Sequence, residues 1–131
     1  SDRYSILGMI SATGDLYQVP LPSAKTAGDP EVSPLAVSSL TQTLLTSVVI
    51  CETGEPAADG SFSLTVTKYV DGEDDPVSTL LNALSLAGED TKVVTLNLTL
   101  APGDKITGTL TGTLNATAFG IEMITGSGPR G

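Results

Sequence analysis

Strict alternation of apolar and hydroxyl side chains is the feature that most constrains this chain. From Ser61 to Val70 it reads Ser-Phe-Ser-Leu-Thr-Val-Thr-Lys-Tyr-Val. Phe62, Leu64 and Val66 therefore share one side, and Ser63, Thr65 and Thr67 the other. Side chains of an extended chain point to opposite faces in turn, so this period of two predicts a strand buried on one face and wet on the other. Lys92 to Leu100 repeats it, with Val94, Leu96, Leu98 and Leu100 inward and Thr95, Asn97 and Thr99 outward. Lys105 to Leu114 reads as a third such strand, with Ile106, Leu110 and Leu114 against Thr107, Thr109, Thr111 and Thr113. Threonine is β-branched and suits a pleated, half-exposed surface.

Further strands are expected at Tyr4–Ile10 and Asp15–Val19, on either side of a turn at Thr13-Gly14. Leu44–Cys51 ends on the apolar run Val48-Val49-Ile50-Cys51, as a strand covered on both faces would. In Asn115–Ile124 the residues Thr117, Phe119, Ile121 and Met123 share a face. Val77–Leu86 fits a helical face through Leu80, Leu81 and Leu84, but its β surroundings favour a strand. The breaks between these segments, at 52–56, 71–76, 87–90 and 101–104, carry turn chemistry. The expected fold is all-β: an antiparallel sandwich or jelly roll of about eight strands. Leu21–Leu40 is expected to be one long irregular excursion, with room for a helical turn after Pro34. Residues 1–125 are read as a single domain and 126–131 as a flexible tail.

Composition narrows function by exclusion. The chain has 131 residues and no histidine, which removes Ser–His and Cys–His dyads, histidine-bearing zinc sites and imidazole switches. A net charge of −9, from 15 acidic and 6 basic residues, argues against nucleic-acid and anionic-membrane partners. The single cysteine, Cys51, has no partner for an internal disulfide, and its place at the end of an apolar run predicts a small core residue rather than a nucleophile. The acidic group Asp71, Glu73, Asp74 and Asp75 could offer oxygens to a cation, but its spacing is not that of an EF-hand, and a solvated hairpin tip is expected instead. Asn97-Leu98-Thr99 and Asn115-Ala116-Thr117 match the glycosylation pattern and are read as outward strand residues. No glycine run forms a phosphate-binding fingerprint. No catalytic residue, cofactor or metal is expected. The N-terminal residues show no secretory signal, and synthesis in a host cytoplasm fits that reading.

Four stretches, in order, carry a resemblance. They are Asp15-Leu16-Tyr17-Gln18-Val19-Pro20, Val48-Val49-Ile50-Cys51-Glu52-Thr53-Gly54, Leu100-Ala101-Pro102-Gly103-Asp104 and Ala118-Phe119-Gly120-Ile121-Glu122. Over about Tyr4 to Glu122 the chain resembles a family of small β-sandwich virion proteins of tailed bacteriophages. It departs in Glu52, where the family has Asn, and in the length of the 21–40 excursion. The resemblance implies a non-enzymatic structural component of a virion. The first expectation is a homotrimeric capsid decoration, or cement, protein on the particle surface, binding the major capsid protein lattice. A tail, neck or fibre-base adaptor and a carbohydrate-binding host-attachment module are the alternatives. Tyr4, Ile6, Pro22, Pro30, Pro34 and Leu35 are the expected partner-binding residues, with strand edges available for pairing to a neighbour.

Overall fold

A computed structural model describes residues 4–21, 40–70 and 73–125. These form eight strands: β1 (Ser5–Ile10), β2 (Gly14–Gln18), β3 (Leu40–Glu52), β4 (Gly60–Val70), β5 (Glu73–Leu86), β6 (Thr91–Leu100), β7 (Lys105–Thr111) and β8 (Leu114–Thr125). One sheet has the order β1-β8-β3-β6 and the other β2-β7-β4-β5, with antiparallel neighbours throughout.

The two orders share one logic. β1 pairs with β8, β2 with β7, β3 with β6 and β4 with β5, and successive pairs alternate between sheets. The chain is thus one long hairpin, folded back between β4 and β5 and rolled so that its ladder wraps a core. Rolling brings β8 beside β3 and β7 beside β4, which closes each sheet at four strands. This is the double-sheet jelly roll.

Alternation supplies the core. Phe62 and Leu64 of β4, Ile106 of β7 and Leu86 of β5 meet Leu45, Val48 and Ile50 of β3 and Ala116 and Ala118 of β8 in one buried cluster. Several segments differ from the sequence reading. β3 starts four residues earlier, at Leu40 rather than Leu44. The run 105–114 is not one strand: the chain turns at Gly112, which has φ +94, and Leu114 opens β8. Val77–Leu86 is strand, and β5 begins earlier still, at Glu73. Tyr69 pairs with Asp74 and Val70 with Glu73, so three of the four acidic residues start a strand instead of forming the hairpin tip. The remaining one, Asp71, lies outside the described residues, as do most of the 21–40 excursion and the tail.

Candidate interaction surface

Two buried carboxylates clamp opposite ends of the sandwich. Glu52, at the end of β3, is 5% exposed. Its Oε2 accepts the N–H groups of Gly54 (2.8 Å) and Ala58 (3.2 Å), and its Oε1 that of Glu89 (2.6 Å). The connection after β3 is thereby fastened to the β5–β6 turn. The Glu89 N–H, and then those of Gly54 and Ala58, hold this carboxyl below the usual carboxylate range, while burial works the other way. Three donors converging on two oxygens explain why a carboxylate stands here rather than Asn, whose amide has one acceptor oxygen.

At the other end lies Asp104, 3% exposed, in the β6–β7 turn. Its Oδ1 accepts from the Tyr69 N–H (3.1 Å) and its Oδ2 from the Ala101 N–H (2.9 Å), with Lys68 Nζ 3.6 Å away. The same turn needs Gly103, whose φ is +86 and whose missing Cβ would lie 2.5 Å from the Tyr69 ring. Nearby, the Tyr17 hydroxyl on β2 donates to Glu122 on β8. Thr43 Oγ1 on β3 lies 2.7 Å from the same oxygen. Burial first, then the Glu122 carboxylate, pushes the Tyr17 phenol well above its ordinary value. Sequence reading found these groups only as turn and strand residues. Signals existed in Glu52 and Asp104, each a carboxylate beside a glycine turn, but their donors come from distant segments.

All three groups serve the fold. The carboxylates of Glu52 and Asp104 are occupied by backbone donors, which leaves neither free for acid–base work. Cys51 is not a core residue: it is half-buried on the outer side of β3, where Thr91 Oγ1 donates to its Sγ at 3.4 Å. Parity explains the correction, because Ile50 and Glu52 on either side of it take the inward positions. Asn97 and Asn115 are exposed on β6 and β8. Among the described residues no group of three or more acidic or sulfur side chains could hold a metal ion.

The two outer faces differ only in degree, and Val77, 63% exposed, lies opposite Thr67 on the β2-β7-β4-β5 sheet. Outside the β2-β7-β4-β5 sheet, cross-strand pairs match hydroxyls: Ser61 with Thr111, Ser63 with Thr109 and Thr65 with Thr107. Outside the other sheet the pairs mix apolar with hydroxyl and amide side chains: Leu44 pairs with Thr99, Ser47 with Thr95 and Cys51 with Asn115. Ile6 lies beside Phe119, Met9 beside Thr117, Val49 beside Val93 and Leu44 beside Ile121. Met9 is 69% exposed and Val93 64%. An open depression of about 350 Å³ at the β1–β8 margin is lined by Met9, Ile10, Ser11, Asn115 and Thr117. Of the expected partner-binding residues, Tyr4 and Ile6 are exposed at β1; Pro22, Pro30, Pro34 and Leu35 lie outside the described residues. Tyr17 and Tyr69 are half-buried, so among the tyrosines only Tyr4 presents an open ring.

The edges contrast with the faces. Each edge strand carries an extra residue relative to its neighbour: β1 between Ile6 and Gly8, β2 between Asp15 and Tyr17, β6 opposite Leu45–Ser47, and β5 three times. Bulged, locally twisted edges are poor templates for strand addition.

No protein-family model matches the chain, and no curated protein matches it in sequence. In fold it is similar to a chain of the crystal structure of the T13 IBDV viral particle, with a TM-score of 0.52 at 10% identity, over 98% of this chain and 32% of that one. A chain of the structure of infectious bursal disease virus, Gx strain, aligns with a TM-score of 0.47 at 12% identity, over 99% of this chain and 34% of that one. The chain therefore spans about a third of the length of the viral chains it matches, and what it shares with the first of them is the jelly-roll fold.

Proposed function

We propose that this chain is a non-enzymatic structural protein of a virion, and specifically a capsid decoration (cement) protein that sits on the particle surface and binds the major capsid protein lattice. The nested jelly roll carries this reading, since it is the fold shared with a chain of a viral particle over nearly the whole of this sequence. Two further features support it. The buried polar groups are consumed in holding the scaffold, and the chemistry left on the outside is extended surface suited to adhesion rather than a cleft suited to turnover. The resemblance to small virion proteins of tailed bacteriophages points to the same class and to a tailed-phage particle. Tyr4 and the neighbouring Ile6 make the contact with the lattice.

The test is occupancy on particles. Heads lacking the protein, incubated with the purified chain and imaged, are expected to gain density at repeated lattice positions, on the order of hundreds of copies per particle. Six to roughly a few dozen copies at the tail or neck would replace the decoration reading with that of an adaptor. A chain that binds no particle but gives a hit on a glycan array would transfer it to host attachment.

A further inference from the structure

We infer that the end of the sandwich where β3 stops is an acid-released latch: protonation of Glu52 frees residues 54–59 from the β5–β6 turn while both sheets stay paired. The device belongs to the isolated chain and needs no partner.

Its basis is where the hydrogen bonds end. Among the described residues, Gly54 to Asp59 are hydrogen-bonded only through carboxylates. The Gly54 and Ala58 N–H groups donate to Glu52 Oε2, and Asp59 Oδ1 accepts the Gly88 N–H at 3.2 Å. Glu52 Oε1 takes the Glu89 N–H from the same turn. The two segments are also in close contact, since a Cβ on Gly88 would fall 3.1 Å from both the Ala57 Cβ and the Ala58 nitrogen. A protonated carboxyl has less acceptor capacity and gains an O–H among three N–H donors. Donors that lose their acceptor favour the conformation that returns them to water.

The charges around Glu52 do not replace what is lost. Glu55 and Asp59 lie on its own connection, Glu89 and Asp90 on the facing turn, and Lys92 at the start of β6, opposite Ile50. The 112–113 turn brings no charge, and the Cys51 thiol lies on the other side of β3. Glu55, Asp59 and Glu89 are exposed, so water and salt screen their mutual repulsion. Acid neutralises Asp59 as well, which weakens its hold on Gly88 in the same direction. Because the N–H groups hold the Glu52 carboxyl below its ordinary range, the latch is closed above that range and opens as pH falls through the folded value.

Backbone bonds that do not titrate keep the opening local. The Glu52 N–H donates to Asp90 O at 2.9 Å and the Thr53 N–H to Thr113 O at 3.0 Å, so β3 stays in its sheet. At the opposite end Asp104 has Lys68 3.6 Å away. Its turn is also tied to β2 by the Val19 N–H on Asp104 O and the Gly103 N–H on Val19 O, each 3.0 Å. Opening uncovers Leu86, opposite Gly60, and Leu114, opposite Glu52, both buried in the closed form.

Amide NMR of the full chain through an acid titration tests this. The Gly54, Ala58 and Glu89 amide protons are expected to shift together, with one midpoint below 4.5. Below that midpoint the protection of Ala58 and Glu89 against hydrogen exchange, corrected for intrinsic rate, should fall about tenfold or more, while β3 and β8 amides keep theirs. In Glu52→Gln that protection is expected to be low already at neutral pH and insensitive to acid; should this variant not fold, the parent titration decides alone. Separate midpoints, no shift at the three amides, protection lost only together with the strands, or parent-like protection in a folded Glu52→Gln would overturn the inference.

Discussion

The phenol of Tyr17 on β2 donates to the carboxylate of Glu122 on β8, joining the two sheets at the end where β3 begins. With that proton committed, the hydroxyl of Thr43, itself fully buried, donates to the Tyr17 oxygen. Three strands distant in sequence thus meet in one relay, and the packing that gathers them also removes water from it.

Tyr17→Phe leaves the buried Thr43 hydroxyl and the Glu122 carboxylate without this partner. The expected loss is about 1–3 kcal/mol, read from the urea midpoint at unchanged slope. The phenol also sets an alkaline limit. Its folded value lies above the unfolded one of 10.0, so the contribution is full below pH 10.0 and falls as pH rises past it. Tyrosinate absorbance should show one phenol resisting ionisation until the protein unfolds, and Tyr17→Phe should abolish that late step.

Glu52 works in the opposite direction. Its carboxyl is held below its ordinary value of 4.5, so its contribution is present above that value and declines as pH falls through the folded one. In Glu52→Gln, an amide NH₂ replaces one of the two oxygens that the Gly54, Ala58 and Glu89 N–H groups now share. Expected are a lower urea midpoint at neutral pH and a flatter dependence between pH 5 and 3 (approximately the carboxylate range). Parallel pH curves for parent and variant would count against the clamp.

Gly103→Ala places a Cβ 2.5 Å from the Tyr69 ring and requires an L residue at φ +86. Both effects act on the turn that presents Asp104 to Tyr69 and Ala101. A loss of about 1–3 kcal/mol is expected, measured by thermal or denaturant unfolding.

Ile50 is fully buried and Thr109 is exposed. Ile50→Ala should cost about 2–5 kcal/mol, whereas Thr109→Ser should stay within about 0.5 kcal/mol. Similar costs would mean that the inward face has been misassigned.

How much of this was legible in the sequence depends on the range of the interaction. In β4 the apolar set and the hydroxyl set differ so plainly that Phe62 and Leu64 had to face inward, because period two is a property of neighbouring residues alone. In β8 both faces are plausible. The larger side chains Phe119, Ile121 and Met123 point outward, while Ala116, Ala118 and Gly120 face the core. Small residues serve there because the same core receives the bulk of Phe62, Leu64 and Ile106 from the facing sheet. That choice depends on a partner far away in the chain, and alternation does not encode it.

The sequence by itself determined that the chain is all-β, roughly where its strands run, and that it lacks imidazole chemistry. Each of these follows from residue type or local periodicity. Only the tertiary structure decided which strands pair, that every edge is bulged, and that Glu52 and Asp104 are clamps. Those properties come from the nested pairing of β1 with β8 through β4 with β5, contacts between segments as far apart in the chain as Ser5 and Gly120, which no window of neighbouring residues contains.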